Sequence, residues 1–153
     1  MTGGITLPTI HASAVLVGAR AVLIRGASGS GKSSLAFALI QAGQNGTLPF
    51  TRLVGDDRVH IEAAHGRLLV RPAETLAGLI EIRGLGIRRV PYEPLGTVGL
   101  VVDLSAGDAE RLPAPDSGLI QVAGIALPRL GVAGCGEAFR VLFAALRTAE
   151  SRS

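Results

Sequence analysis

The sequence predicts a mixed α/β domain in which short hairpins, rather than a regular strand–helix–strand ladder, surround one glycine-rich loop. Three features carry that expectation. Short β-branched and aliphatic runs recur between turns rich in glycine and proline. A strand pattern runs straight into a glycine-rich segment over residues 26–31, and an apolar helix pattern follows it. A second helix pattern, amphipathic and free of glycine, lies towards the C-terminus.

In chain order, residues 12–17 and 21–24 read as two strands, with Gly18, Ala19 and Arg20 as the turn of an antiparallel hairpin. Residues 33–42 read as a helix with Leu35, Leu39 and Ile40 on one face, Ala36 and Phe37 beside them, and Gly43 as a left-handed stop. Residues 44–51, containing Asn45, Gly46 and Pro49, read as an exposed loop. Residues 52–54 form a short strand ending at Gly55, Asp56 and Asp57. Residues 59–63 and 68–70 make a second hairpin around His65 and Gly66, with His60 and His65 on the surface. Behind Pro72, residues 73–80 are predicted as a short helix carrying Leu76, Leu79 and Ile80 on one side, although Gly78 weakens it. Residues 98–104 read as a strand buried on both faces, residues 108–117 as a polar loop, and residues 119–127 as one or two strands. The helix over residues 137–149 buries Phe139, Leu142, Phe143 and Leu146. No repeat or linker interrupts the pattern, so one domain is expected over residues 1–153.

A chain of 153 residues can bury a substantial core. Hydrophobic residues make up 48 % of it and aromatics only 3 %, so Val, Leu, Ile and Ala must fill that core. No apolar run approaches the roughly 18 residues of a membrane-spanning helix. The run over residues 12–19 has no basic segment before it and no cleavage site after it, so it reads as a buried strand and not a secretion signal. A single cysteine, Cys135, rules out an internal disulfide, provides no metal cluster and reads as a packing residue near a helix start. A cytoplasmic protein is expected. The net charge of +3 is spread over scattered arginines with hardly any aromatics to stack bases, which argues against a nucleic-acid partner. Against that arginine-rich background, the only lysine in the chain is Lys32.

Lys32 falls inside Gly26, Ala27, Ser28, Gly29, Ser30, Gly31, Lys32 and Ser33, which fits the pattern G-x-x-x-x-G-K-[ST]. Glycines there let backbone N–H groups approach a polyphosphate with no Cβ in the way. The following helix offers unpaired amides and the positive end of its dipole to the same anion. Lys32 is a compact charge suited to the β- and γ-phosphates, and the Ser33 hydroxyl suits Mg²⁺. The pattern therefore predicts a nucleoside triphosphate site for ATP with Mg²⁺, without naming the phosphate acceptor.

Asp56 and Asp57 follow a short hydrophobic strand, where a metal-facing carboxylate is expected in phosphate-loop enzymes. Neighbouring strand residues point to opposite faces, so both reach one site only if the strand ends there, as Gly55 suggests. One would attend Mg²⁺ or its waters and the other would accept a proton; paired aspartates are also common in turns. Glu81, Ile82, Arg83, Gly84, Leu85, Gly86 and Ile87 form a second unusual stretch. Its two glycines suggest a close backbone approach, Glu81 offers hard oxygen to Mg²⁺, and Arg83 offers positive charge to a transferring phosphoryl group. A surface turn with a Glu–Arg ion pair fits the same residues.

Together, His11, the loop from Gly26 to Ser33, the run from Leu53 to Asp57 and the run from Glu81 to Ile87 make the chain resemble the kinase domain of the HPr kinase/phosphorylase family. That family phosphorylates a serine of the phosphocarrier protein HPr. The resemblance covers about residues 11–104 and is most specific in the run from Glu81 to Ile87. It implies an α/β fold of the phosphoenolpyruvate-carboxykinase-like type, a P-loop kinase with mixed sheets and hairpins around the phosphate-binding loop. It also implies that Lys32 contacts phosphates, Ser33 and Glu81 hold Mg²⁺, and Asp56 and Asp57 supply the acid/base. Arg83 belongs to the catalytic segment and His11 sits beside the site on the same grounds. An HPr-type carrier as partner, a homo-oligomer (a hexamer in the family) and reverse phosphorolysis with inorganic phosphate complete the implied picture.

The chain departs from the family in three ways. It resembles the short form, without the N-terminal domain of longer members. Residues 45–51 lengthen the connection to the acidic pair. The family's arginine-containing C-terminal segment has no clean counterpart over residues 127–137, where Arg129 is the nearest basic residue. Two rival readings share the scaffold: a kinase of a small metabolite, and a nucleotide-binding regulatory module without catalysis.

Overall fold

Alternation along the first strand decides which side each residue faces. In β1, Thr9–Val17, Ala12, Ala14 and Leu16 pack into one apolar cluster while Val15 and Val17 pack into another. The computed structural model describes residues 9–104, 118–133 and 135–148. Its further elements are β2 (Arg20–Arg25), α1 (Lys32–Gln44), β3 (Thr51–Gly55), β4 (Arg58–Ala64) and β5 (Arg67–Pro72). A 3₁₀ turn at Glu74–Leu76 precedes β6 (Leu79–Ile82) and β7 (Gly86–Arg89). Then come β8 (Gly96–Leu104), β9 (Leu119–Val122), β10 (Ile125–Val132) and α2 (Cys135–Arg147).

The main sheet closes on itself. β2 pairs with β1, β1 with β4, β4 with β5 and β5 with β8, and β8 returns to β2. A ring of so few strands leaves little room inside, and the cluster to which these strands contribute sets Ala12, Ala14 and Ala21 beside Leu23, Val59, Leu68, Val70 and Val98. Gly96 belongs to the same economy of space, since a Cβ there would stand 3.2 Å from that of Ala21.

β2, β8 and β10 run parallel, and both helices lie on one side of them. Leu35, Leu39 and Ile40 of α1 and Ala138 and Leu142 of α2 pack with Ile24, Val102 and Val132 from the three strands. The glycine-rich loop therefore leaves the C-terminal end of a parallel strand and enters a helix N-terminus, the place where open α/β sheets gather ligands. β1 is shared along one edge by β3, beside Ala14–Val17, and by β4, beside Thr9–His11. The corner where the chain passes from β3 to β4 is Asp56-Asp57.

Most predicted elements are present, with instructive differences. The helix expected over residues 73–80 is a single 3₁₀ turn followed by β6. Gly78 adopts φ +77 against the Tyr92 ring, which ends the turn, and Ile80 is buried in a strand beneath α1. β7 is an addition to the predicted elements; it turns the run from Glu81 to Ile87 into a hairpin, with Ile82 opposite Gly86. Gly84 and Gly86 have φ +89 and +95, and a Cβ added to either would meet nothing within 4 Å. Both take the left-handed conformation that the turn needs, and both line the cleft described below. The loop after α1 is not wholly exposed either, because Leu48 is buried in the helix-side core. His65 is exposed at its turn, but His60 is half-buried on β4. Residues 119–127 hold the start of two strands, and the predicted loop at 108–117 lies outside the described residues, as does residue 149. Among the described residues no helix is long and apolar enough to cross a membrane.

Gly43 does not stop α1, which continues to Gln44; Gly46, at φ +83, takes the left-handed position. Gly43 is needed for space. A Cβ there would stand 2.4 Å from Thr51 Cβ and 2.6 Å from Thr51 Oγ1, which is itself tied to the Pro49 carbonyl at 2.6 Å. A glycine-to-alanine change inside a helix ordinarily gains about 1 kcal/mol. Gly43→Ala is expected to reverse the sign, since overpacking costs about 1–3 kcal/mol. Urea unfolding reads the result, and a variant at least as stable as the parent would contradict the contact.

Candidate active site

The glycine-rich loop is built around its lysine. Gly29 and Gly31 adopt φ +82 and +103, conformations that favour glycine. Gly26 packs against Ser30, where a Cβ would stand 2.5 Å from the hydroxyl. Lys32 is buried, and its Nζ donates to the carbonyls of Gly26 (2.9 Å) and Ala27 (3.2 Å), so the ammonium spans the loop. No side-chain cap occupies the N-terminus of α1. The Ser30 hydroxyl is buried with no hydrogen-bond partner among the described residues.

Asp56 sits below the loop with 4 % of its surface exposed. The Ser33 hydroxyl lies 2.8 Å from both of its carboxylate oxygens. Ser13 Oγ donates to Oδ1 at 2.6 Å, and the Glu81 backbone N–H donates to Oδ2 at 3.1 Å. These three donors engage both oxygens of the carboxylate. Asp57 is the opposite case. It is exposed, its backbone has φ +70, and its carboxylate has no hydrogen-bond or ion-pair partner among the described residues. Two adjacent aspartates thus have separate environments, one locked and one free.

Above them opens a cleft of about 390 Å³ whose walls include Gly29, Lys32, Ser33, Asp57, Glu81 and Arg83. The glycine-rich loop, the acidic corner and the β6–β7 hairpin, which the sequence separates by more than twenty residues each, meet in this one space. Gly26, Ala27 and Ser30 shape the loop without being part of the cleft wall, whereas Ser28, Gly31 and Ser34 line it. His11 does not line it. It is exposed on β1 opposite Arg58, with Nε2 3.2 Å from the Arg58 guanidinium.

The residues present suit Mg²⁺ bound to a polyphosphate. Ser33 points its hydrogen at Asp56, which leaves its lone pairs for a cation, and the cleft adds the hard oxygens of Asp57 and Glu81. Among the described residues no three His, Cys, Asp or Glu side chains form a metal cluster. Mg²⁺ does not require one, because it keeps waters and phosphate oxygens in its shell.

Two features have almost no signature in the sequence. Ser13 is one; its only signal is a lone hydroxyl in the otherwise apolar run over residues 12–17. The other is a charge cluster built from Arg25 and Asp103, near the C-terminal ends of β2 and β8, and Arg129 of β10. Arg25, the residue before Gly26, holds Asp103 through two hydrogen bonds of 2.7 and 2.9 Å, and Arg129 adds a third of 2.6 Å. Burial, the largest influence on Asp103, opposes its ionisation. The hydrogen bonds and charges of Arg25 and Arg129 together outweigh it and hold the carboxyl below its usual range. A carboxyl depressed in the folded state stabilises fully above its unfolded pKa of about 3.9 and loses that contribution as pH falls through the lower folded value. Asp103→Asn is expected to cost about 1–3 kcal/mol at pH 7. The gap from the parent should shrink below about pH 4; a gap independent of pH would contradict the assignment.

The chain is similar to known proteins in sequence and in fold. The family model described as HPr Serine kinase C-terminal domain matches residues 6–92, more than half of the chain. The HPr kinase/phosphorylase of Clostridium tetani is 35 % identical over 102 residues, covering 62 % of this chain and 31 % of the relative. That of Streptococcus sanguinis is 33 % identical over 135 residues, covering 81 % and 41 %. The chain thus spans well under half the length of these curated relatives. A solved structure described as the Hpr(Ser) kinase/phosphatase from Coxiella burnetii superposes with a TM-score of 0.72 at 24 % identity, covering 92 % of this chain and 94 % of that one, and shares the mixed α/β fold. The chain belongs to the HPr serine kinase C-terminal domain family.

Proposed function

We propose that this domain transfers the γ-phosphoryl group of ATP to a serine hydroxyl of an HPr-type phosphocarrier protein, with Mg²⁺ as the metal. The observation that carries the reading is the meeting of Lys32, Ser33, Asp57, Glu81 and Arg83 in one cleft, with Asp56 locked beneath it. We read the loop from Gly26 to Ser33 as a phosphate-binding loop within a phosphoenolpyruvate-carboxykinase-like architecture. Membership of the HPr serine kinase family supplies the acceptor class.

The division of labour follows from the two aspartate environments. Asp56 is held by three donors and acts by orienting Ser33, which with Glu81 would hold the metal. Asp57 faces the cleft with an uncommitted carboxylate and takes the proton from the serine hydroxyl as its oxygen attacks the γ-phosphorus; the bond to the β–γ bridging oxygen breaks and ADP leaves. Mg²⁺, when bound, neutralises charge on the phosphates. Lys32 and Arg83, both in the cleft wall, contribute positive charge. Run in reverse with inorganic phosphate as attacker, Asp57 returns the proton to the serine oxygen and pyrophosphate leaves.

Incubation of the protein with γ-labelled Mg-ATP and an HPr-type carrier tests the reading. The expected result is label on one serine of the carrier. Tight ATP binding with no label on the carrier, and ADP release provoked instead by a hydroxylated metabolite, would overturn the choice of acceptor.

A further inference from the structure

Ser13 lies at the point where β1 stops pairing with β3 and begins pairing with β4. Ala14 stands opposite Gly55 and Val15 opposite Leu53, so Val54 is an extra residue on β3 and the pairing is bulged. A bulge re-aims the side chains beyond it. One step further along both strands, Ser13 comes to rest beside Asp56, on the same face of β1 as Val15, towards α1.

The Ser13 side chain is wholly buried, and its one oxygen touches both aspartates. It donates to Asp56 Oδ1 at 2.6 Å and accepts the backbone N–H of Asp57 at 3.3 Å. Asp57 needs such a restraint, because it is a non-glycine residue at φ +70. Its other backbone supports are the Ala12 N–H on its carbonyl at 3.1 Å and the Arg58 N–H on the Asp56 carbonyl at 2.8 Å. A buried serine that merely satisfies its own hydroxyl needs one partner. This one bridges the locked carboxylate and the backbone that presents the free one.

We propose that Ser13 is a positioning residue whose hydroxyl sets two things at once: the rotation of Asp56 towards Ser33 and the presentation of Asp57 to the cleft. The proposal rests on the function proposed above. It predicts that removing the hydroxyl disturbs what Mg²⁺ adds to nucleotide binding and leaves the loop's own grip on phosphate intact, since neither Lys32 nor the loop carbonyls touch Ser13.

Ser13→Thr and Ser13→Val have the same shape and differ in the hydroxyl, so steric strain cancels between them; Ser13→Ala adds no atoms and gives the comparison with the parent. Two readouts need no turnover: hydrogen exchange of the Asp57 amide in the nucleotide-free protein, and ATP affinity with and without Mg²⁺. The expected result for Ser13→Val and Ser13→Ala is Asp57 exchange faster by about tenfold, the scale of one lost hydrogen bond. Their gain in ATP affinity on adding Mg²⁺ should fall by a similar factor while affinity without Mg²⁺ stays put, and Ser13→Thr should follow the parent. Thr and Val variants that behave alike in both measurements, with Ser13→Ala like the parent, would overturn the positioning role alone. A parent protein that binds no ATP would overturn this proposal and the proposed function together.

Discussion

Asp57→Asn is expected to slow phosphoryl transfer about 10²–10⁴-fold, the usual worth of a positioned general base, while ATP binding changes little. The substitution is close to isosteric, and asparagine tolerates the left-handed backbone that Asp57 adopts at φ +70, so the turn should survive. Asp57 makes no side-chain hydrogen bond among the described residues, so no structural partner is stranded. A rate constant measured at saturating Mg-ATP separates the outcomes. A loss confined to KM, or a rate within a few-fold of the parent, would remove Asp57 from the proton-transfer role. Asp56→Asn provides the contrast: it replaces one accepting oxygen with an NH2 donor, so the hydrogen bonds from Ser13, Ser33 and the Glu81 amide can no longer all be kept as they stand, and stability as well as rate should fall.

Lys32→Met carries the second large effect. The ammonium is buried and binds two carbonyls at the start of the loop, so its loss removes both the charge offered to phosphate and a brace of the loop itself. Loss of a preorganised charged donor typically costs about 10²–10³-fold in rate. ATP affinity should fall in parallel by at least about tenfold, because hydrogen bonds to charged groups contribute about 1.5–3 kcal/mol. Titration with a fluorescent ATP analogue measures the affinity. Unchanged affinity would place the nucleotide elsewhere.

The parts of this molecule that are legible in the sequence are those where local chemistry dictates the answer. The glycine-rich loop needs φ +82 and +103 at Gly29 and Gly31, and a strand before it and a helix after it, all of which leave a pattern in the chain. Hairpin turns such as His65-Gly66, at φ +52 and +76, are equally local. Residues 73–80 mislead because Leu76, Leu79 and Ile80 fit a helical spacing, whereas tertiary packing places Ile80 in a strand under α1. Pairing between distant strands is the least legible. Nothing near Ser13 announces Asp56, and nothing near Arg25 announces Asp103, yet the β1–β3 bulge and the parallel β2–β8 register bring each pair into contact. The same limit hides which aspartate is free: that depends on Ser13, Ser33 and the Glu81 backbone, drawn from three segments.

A crystal structure with Mg²⁺ and a non-hydrolysable ATP analogue is expected to show the polyphosphate resting on the loop with its terminal phosphorus facing Asp57. The β- and γ-phosphate oxygens should lie within hydrogen-bond distance of the loop amides and Lys32, with Ser33 on the metal and the Asp57 carboxylate open towards the γ-phosphorus. An analogue bound outside the cleft, or one that leaves Asp57 turned away and Asp56 on the phosphorus, would contradict this placement.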